Sequence, residues 1–297
     1  MFTGLSAFPL TPVTETGIDA TKFSQLVARL SKSGVDSIGA LGSTGSYAYL
    51  SREERKHVAR LAIEAAGATP VIIGIGALRT SQVHALAEDA QNVGAAGVLL
   101  APVSYQKLTS TEVFHLYESV TKDLSIPLCV YDNPGTTHFT FSDDLHARIA
   151  ELPNVRSIKI PGVPANQDEA TARVKTLRSL VPAEVTIGVS GDMFGATGLN
   201  AGCEVWYSVL AGVLPGVCLT LTRASQRGDH DEARMLSNRL EPVWDLFRAH
   251  GSLRVVSAIA EELGLIDFPN LPQPLRGLDA QDRVTVSEAL EQIRDLC

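Results

Sequence analysis

Val155-Arg156-Ser157-Ile158-Lys159-Ile160, closed by Pro161-Gly162, reads as a buried strand that carries a lysine near its end. The β-branched residues suit a pleated, packed surface and the Pro-Gly pair ends the run. A helical segment from Ser142 precedes it and another from about Asn166 follows it, so the stretch is one β/α unit. The same rhythm extends in both directions. Upstream, strand Thr3–Leu10 leads to helix Asp19–Ser33 and strand Val35–Leu41. The next helix opens at Ser51 with Glu54 three residues on, a capping-box pattern. Strand Val71–Ile75, a helix from about Ser81, strand Gly97–Ala101, a helix from Ser110 and strand Pro127–Tyr131 complete the approach. Downstream come strand Val185–Val189, a short helix after Asp192, and strand Cys203–Leu210.

Eight βα units with short connections predict an α/β protein, a closed (β/α)8 TIM barrel rather than an open doubly wound sheet. After the eighth helix, near Arg227, no strand signal remains. Asp229–Leu263 and Ala280–Leu296 read as helices separated by a connection carrying Pro269, Pro272 and Pro274. The expected organisation is a catalytic barrel over residues 1–227 and a C-terminal helical domain over residues 228–297.

The 297 residues hold 33 acidic against 25 basic side chains, a net charge of −8, with no basic cluster. That balance argues against nucleic acid or an anionic membrane as partner and favours a small soluble ligand. No apolar stretch approaches the roughly 20 residues that span a bilayer, and Met1-Phe2-Thr3-Gly4-Leu5 lacks a basic leader, so a cytoplasmic protein is expected. Cys129, Cys203, Cys218 and Cys297 are far apart without metal-ligand spacing, and fit buried thiols in a reducing compartment. His57, His84 and His115 are equally scattered, so neither a metal nor a cofactor is expected.

In a barrel of this kind, chemistry gathers at the C-terminal ends of the strands. A lysine buried there favours its neutral amine, the nucleophile that forms Schiff bases with carbonyl compounds. Gly42-Ser43-Thr44-Gly45 follows the second strand and offers two hydroxyls, backbone amides and room for close approach, which suit a carboxylate or phosphate, and opposite Lys159 the combination suggests the carboxylate of a 2-oxo acid. Tyr131 ends the strand next to that of Lys159 and is placed to relay protons. Tyr105, on the loop after the fourth strand, is a second candidate, either at the site or at a subunit interface.

Together with Pro9-Leu10-Thr11-Pro12, Pro134 and Ser190-Gly191-Asp192, these residues resemble the dihydrodipicolinate synthase and N-acetylneuraminate lyase superfamily, the class I pyruvate-linked aldolases. The likeness spans nearly the whole chain. It implies Lys159 as the imine lysine, Tyr131 as proton relay, Ser43 and Thr44 as binders of the pyruvyl carboxylate, and Tyr105 as a tyrosine lent across a dimer interface. It also implies a homotetramer built as a dimer of dimers.

Departures bear on the substrate. The family loop commonly runs into a glutamate where this chain has Ser46, followed by the bulky Tyr47 and Tyr49. Synthases of the family usually carry an arginine shortly after the tyrosine segment, whereas this chain reads Asn133-Pro134-Gly135-Thr136-Thr137-His138. The bidentate cation is absent there, which leaves His138 or an arginine from elsewhere to replace it. Sialic acid lyases have Asp-Glu where Asp192 is followed by Met193, and a strand-eight serine where this chain reads Trp206-Tyr207-Ser208-Val209; Ile160-Pro161-Gly162 after the lysine is also atypical. The expected activity is an aldolase or lyase acting through a lysine imine of pyruvate or another 2-oxo acid. Alternatives are a dehydratase or deaminase of a 2-oxo sugar acid or cyclic imino acid, and a non-catalytic 2-oxo acid sensor.

Overall fold

The structure is a computed structural model that describes residues 1–296, so the expected thiol of Cys297 lies outside the described residues. The chain opens with β1 (Gly4–Ala7), a hairpin of β2 (Val13–Thr14) and β3 (Gly17–Ile18), and α1 (Ala20–Ser33). There follow β4 (Ser37–Ala40), α2 (Arg52–Ala66), β5 (Val71–Gly74), α3 (Thr80–Asn92), β6 (Gly97–Leu100) and α4 (Ser110–Lys122). Next come β7 (Leu128–Tyr131), the single turn α5 (Pro134–Thr137), α6 (Asp143–Ala150), β8 (Val155–Ile160) and α7 (Gln167–Leu180). The barrel ends with β9 (Thr186–Val189), α8 (Gly195–Asn200), β10 (Val205–Ser208) and α9 (Pro215–Gln226).

Eight of these strands pair in parallel in the order β1-β10-β9-β8-β7-β6-β5-β4, and β4 returns to β1 to close the (β/α)8 barrel. Helix starts match the expectations because the side chains that announce them make the cap bonds. Ser51 Oγ accepts from Glu54 N–H while Glu54 accepts from Ser51 N–H, and Ser142 and Asn166 cap α6 and α7. The hairpin β2–β3 was not legible, since two-residue strands have no room for a period.

The segment after α9 differs from the single helical run expected over Asp229–Leu263. It folds as α10 (His230–Arg239), α11 (Glu241–His250) and α12 (Ser252–Glu262), and α13 (Ala280–Gln292) follows the proline-bearing connection. The breaks have local causes. Pro242 lacks an N–H and suits only the first turn of α11, and Gly251 adopts φ 78° between α11 and α12. Among the described residues, no helix is long and apolar enough to cross a membrane.

Strand alternation divides the core. Ile158 and Ile160 of β8 join the layer between strands and helices, while the barrel interior is a separate cluster of Phe2, Phe8, Ile72, Leu99, Cys129, Tyr131, Val205 and Tyr207. The register sets Lys159 beside Tyr131 on β7 and Gly188 on β9. With Ile158 and Ile160 turned to the helices, the period of two turns Ser157 and Lys159 inward, one above the other.

Candidate active site

Lys159 is 4% exposed, and its Nζ faces rings from three strands or their loops. The Phe8 centroid lies 4.1 Å away, that of Tyr131 4.4 Å and that of Tyr207 5.4 Å. Among the described residues no carboxylate pairs with this amine. The cage is itself braced from below. Tyr207 Oη lies 2.7 Å from Ser157 Oγ and accepts from Cys129 Sγ at 3.4 Å, and Phe8 meets the Tyr207 ring edge-on. Burial pushes the Cys129 thiol up to about 11, so it remains a packed thiol.

The structure brings Tyr131, Ser43 and Thr44 to the same mouth as Lys159. Tyr131 Oη accepts from Asn133 Nδ2 at 2.8 Å and lies 3.3 Å from Ser43 Oγ, so the phenol is held by a donor on one side and faces a hydroxyl on the other. Asn133 was not singled out in the sequence. Its signal was its place two residues beyond Tyr131 on the same turn. Ser46, in the left-handed region at φ 54°, buries a hydroxyl without a partner among the described residues, and Tyr47 and Tyr49 wall the same side of the cavity. Tyr47 is held by Arg55, whose guanidinium lies 5.2 Å from the ring centroid and donates to the Gly74 and Gly76 carbonyls; burial lowers the arginine to about 10.

Gly42 and Gly45 differ from their expected role, since neither lines the cavity. Their missing side chains serve the protein's own packing. A Cβ on Gly42 would stand 2.8 Å from Phe8 Cδ1, and one on Gly45 would stand 2.9 Å from the Leu41 amide nitrogen. Tyr105 is 91% exposed and does not reach the cavity of its own chain, and His138 also stands outside the cavity wall.

In the sequence Asp192 stood at a strand end and helped to carry the family resemblance, without a role of its own. It is buried and accepts from Trp206 Nε1 at 3.1 Å, Val209 N at 3.2 Å and Leu210 N at 2.7 Å, which ties the end of β10 to the loop after β9. Burial raises its carboxyl to about 6 against the pull of these donors and of the Lys159 charge. The cavity measures about 780 Å³ and runs from Lys159 to Phe247, Gly251, Ser252, Leu253 and Arg254 at the junction of α11 and α12. A volume on this scale accommodates much more than a three-carbon acid.

A barrel that keeps one unpaired amine inside its C-terminal mouth, beside a hydrogen-bonded phenol, has the layout of a class I aldolase-type lyase. The profile of the dihydrodipicolinate synthetase family matches residues 1–293, and the chain belongs to that family of lyases. The 4-hydroxy-tetrahydrodipicolinate synthase of Methylococcus capsulatus is 32% identical over 288 residues, covering 95% of each chain. A crystal structure of dihydrodipicolinate synthase from Agrobacterium tumefaciens superimposes with a TM-score of 0.94 at 45% identity, covering 98% of each chain. The chloride-inhibited dihydrodipicolinate synthase of Acinetobacter baumannii, complexed with pyruvate, has a TM-score of 0.90 at 26% identity, covering all of both chains.

Proposed function

We propose that Lys159 condenses with the ketone of pyruvate or another 2-oxo acid and that the resulting imine carries the making or breaking of the adjacent carbon–carbon bond. The observation that bears this reading is the Lys159 amine itself, which is buried among three rings with no carboxylate partner and lies beside the Tyr131 phenol. The amine adds to the ketone carbon, the oxygen leaves as water, and a protonated imine forms. Loss of a proton from the neighbouring carbon gives an enamine. The enamine carbon attacks an aldehyde carbonyl, the new alkoxide takes a proton, and water releases the 2-oxo acid product from the lysine. Cleavage is the reverse sequence.

Tyr131 is the proton relay in this scheme, because its oxygen is held by Asn133 and faces Ser43 at the edge of the cavity. Ser43 and Thr44 bind the carboxylate of the imine-forming acid. Tyr105, exposed on its own chain, reaches the site of a second copy in a homotetramer arranged as a dimer of dimers. Residues 1–227 form the catalytic barrel, residues 228–297 a helical domain that supplies part of the cavity wall, and the enzyme acts in the cytoplasm. Pyruvate in the Acinetobacter relative supports that acid as the imine partner.

The test is borohydride reduction in the presence of pyruvate, followed by intact mass measurement and peptide mapping. A reduced pyruvyl group on Lys159, lost in Lys159→Ala, is the expected result. An undiminished adduct in the variant places the nucleophile elsewhere.

A further inference from the structure

Between Tyr131, which carries the phenol, and Asn133, which donates to it, stands a buried carboxylate. Tyr131 belongs to the barrel interior and Asn133 lines the cavity, whereas Asp132 does neither. The Asp132 N–H donates to the Lys159 carbonyl at 3.0 Å, so this one residue ties the end of β7 to the backbone of the lysine. Its side chain meets His146 of α6, which is 1% exposed. His146 Nε2 lies 3.4 Å from Asp132 Oδ2, close enough for an ion pair but not aligned as a hydrogen bond. Among the described residues, Asp132 Oδ1 and His146 Nδ1 have no hydrogen-bond partner. The imidazole is stacked on Phe141 at 4.9 Å with 7° between the planes, and Phe141 meets Phe139 and Tyr117 edge-on, which holds the ring in place. Arg173 of α7, whose charge also reaches Asp132, is committed to Asp143 by two bonds of 2.7 Å. Buried polar groups bonded this incompletely cost stability, and an apolar pair of similar size is often the more stable choice. What this pair holds is the turn that carries the phenol.

We infer that His146 is a positioning residue for the proposed reaction: it anchors the Asp132 carboxylate and so fixes the Tyr131–Asn133 turn against the Lys159 strand. The role rests on the reading of Lys159 as the imine lysine and Tyr131 as the proton relay. Neither His146 nor Asp132 lines the cavity, so the effect reaches substrate only through Tyr131 and Asn133. Loss of the imidazole leaves a carboxylate buried without its counter-charge, and the turn shifts to bring that charge to water. A misplacement of about 1 Å is enough to slow a reaction about 100-fold.

The experiment follows the exchange of the pyruvate methyl protons for deuterium in heavy water by proton NMR. Exchange needs only the Lys159 imine, loss of a methyl proton to give the enamine, and return of a deuteron from solvent. No aldehyde takes part. In His146→Leu the maximal exchange rate falls about 10-fold or more, while the pyruvate concentration for half-maximal rate stays within about twofold. His146→Gln, whose amide nitrogen takes the place of Nε2, recovers most of the rate. In a Tyr131→Phe background His146→Leu adds less than about twofold, since groups that act as a unit are non-additive. Where His146→Leu does not fold, Asp132→Ala/His146→Leu leaves no charge buried and takes its place with the same slowing expected. A wild-type exchange rate in the variant, a change confined to the half-maximal concentration, or an equal loss with and without the Tyr131 hydroxyl overturns the assignment. Borohydride trapping of pyruvate is run on the same samples. Adduct and exchange in the wild type with no response to His146→Leu sink the positioning role alone. Neither adduct nor exchange in the wild type sinks the imine reading, and the role of His146 with it.

Discussion

Lys159 and Tyr131 are adjacent partners in the β7–β8 register, and that pairing puts an amine and a phenol side by side without any loop having to close over them. Because Asn133 donates to the phenol oxygen, Tyr131 is oriented before substrate arrives. Tyr131→Phe keeps the ring of the cage and removes the hydroxyl proposed as the proton relay. Steady-state turnover is expected to fall by roughly 100-fold or more, the usual scale for general acid–base work, while borohydride still traps pyruvate on Lys159. Unchanged turnover assigns the proton transfer to another group. At this scale Lys159, Tyr131, Ser43 and Thr44 were legible, since each ends a strand or starts the loop after one. Phe8, Asn133 and Arg254 were not. Phe8 and Arg254 come from opposite ends of the chain and meet the site only through folding.

The loop between β4 and α2 shows how an element serves the site indirectly. Its two glycines were readable as a turn, but what Gly42 accommodates was not, because Phe8 arrives from the loop after β1. Gly42→Ala would force the Phe8 ring away from its present position, and that ring forms the nearest face of the cage around Nζ. Urea unfolding is expected to show a loss of about 1–3 kcal/mol, the cost of overpacking a filled core, together with slower formation of the pyruvate adduct. Adding Phe8→Leu should recover part of the stability. If the single variant is as stable as the wild type, the loop has slack that the 2.8 Å approach does not reveal. The helices of the barrel were legible in finer detail than the strands' surroundings, because caps such as Ser51 with Glu54 are local bonds written within four residues.

For the whole molecule, Asp192 couples the closing of the barrel to pH. Its carboxyl is raised from 3.8 to about 6, so the folded chain keeps this proton where the unfolded chain has lost it. The stabilisation is complete below about pH 3.8 and is lost as pH rises through about 6. A shift of this size corresponds to roughly 3 kcal/mol. Asp192→Asn is expected to flatten that part of the profile in urea unfolding measured between pH 4 and 7, whatever its effect on absolute stability. An unaltered slope assigns the pH dependence to other carboxylates.

Periodicity, caps and turn residues are properties of neighbours along the chain, and they determined the succession of strands and helices, the barrel, and the lysine at the end of a buried strand. The division of α10, α11 and α12 followed from Pro242 and Gly251, but only packing made those local signals decisive. The tertiary structure alone decided the aromatic cage, the reason for Gly42, the clamp made by Asp192, and the presence of Arg254 in the cavity. Each depends on groups distant in sequence sharing one small volume, and the closure of the barrel is what brings them within bonding distance.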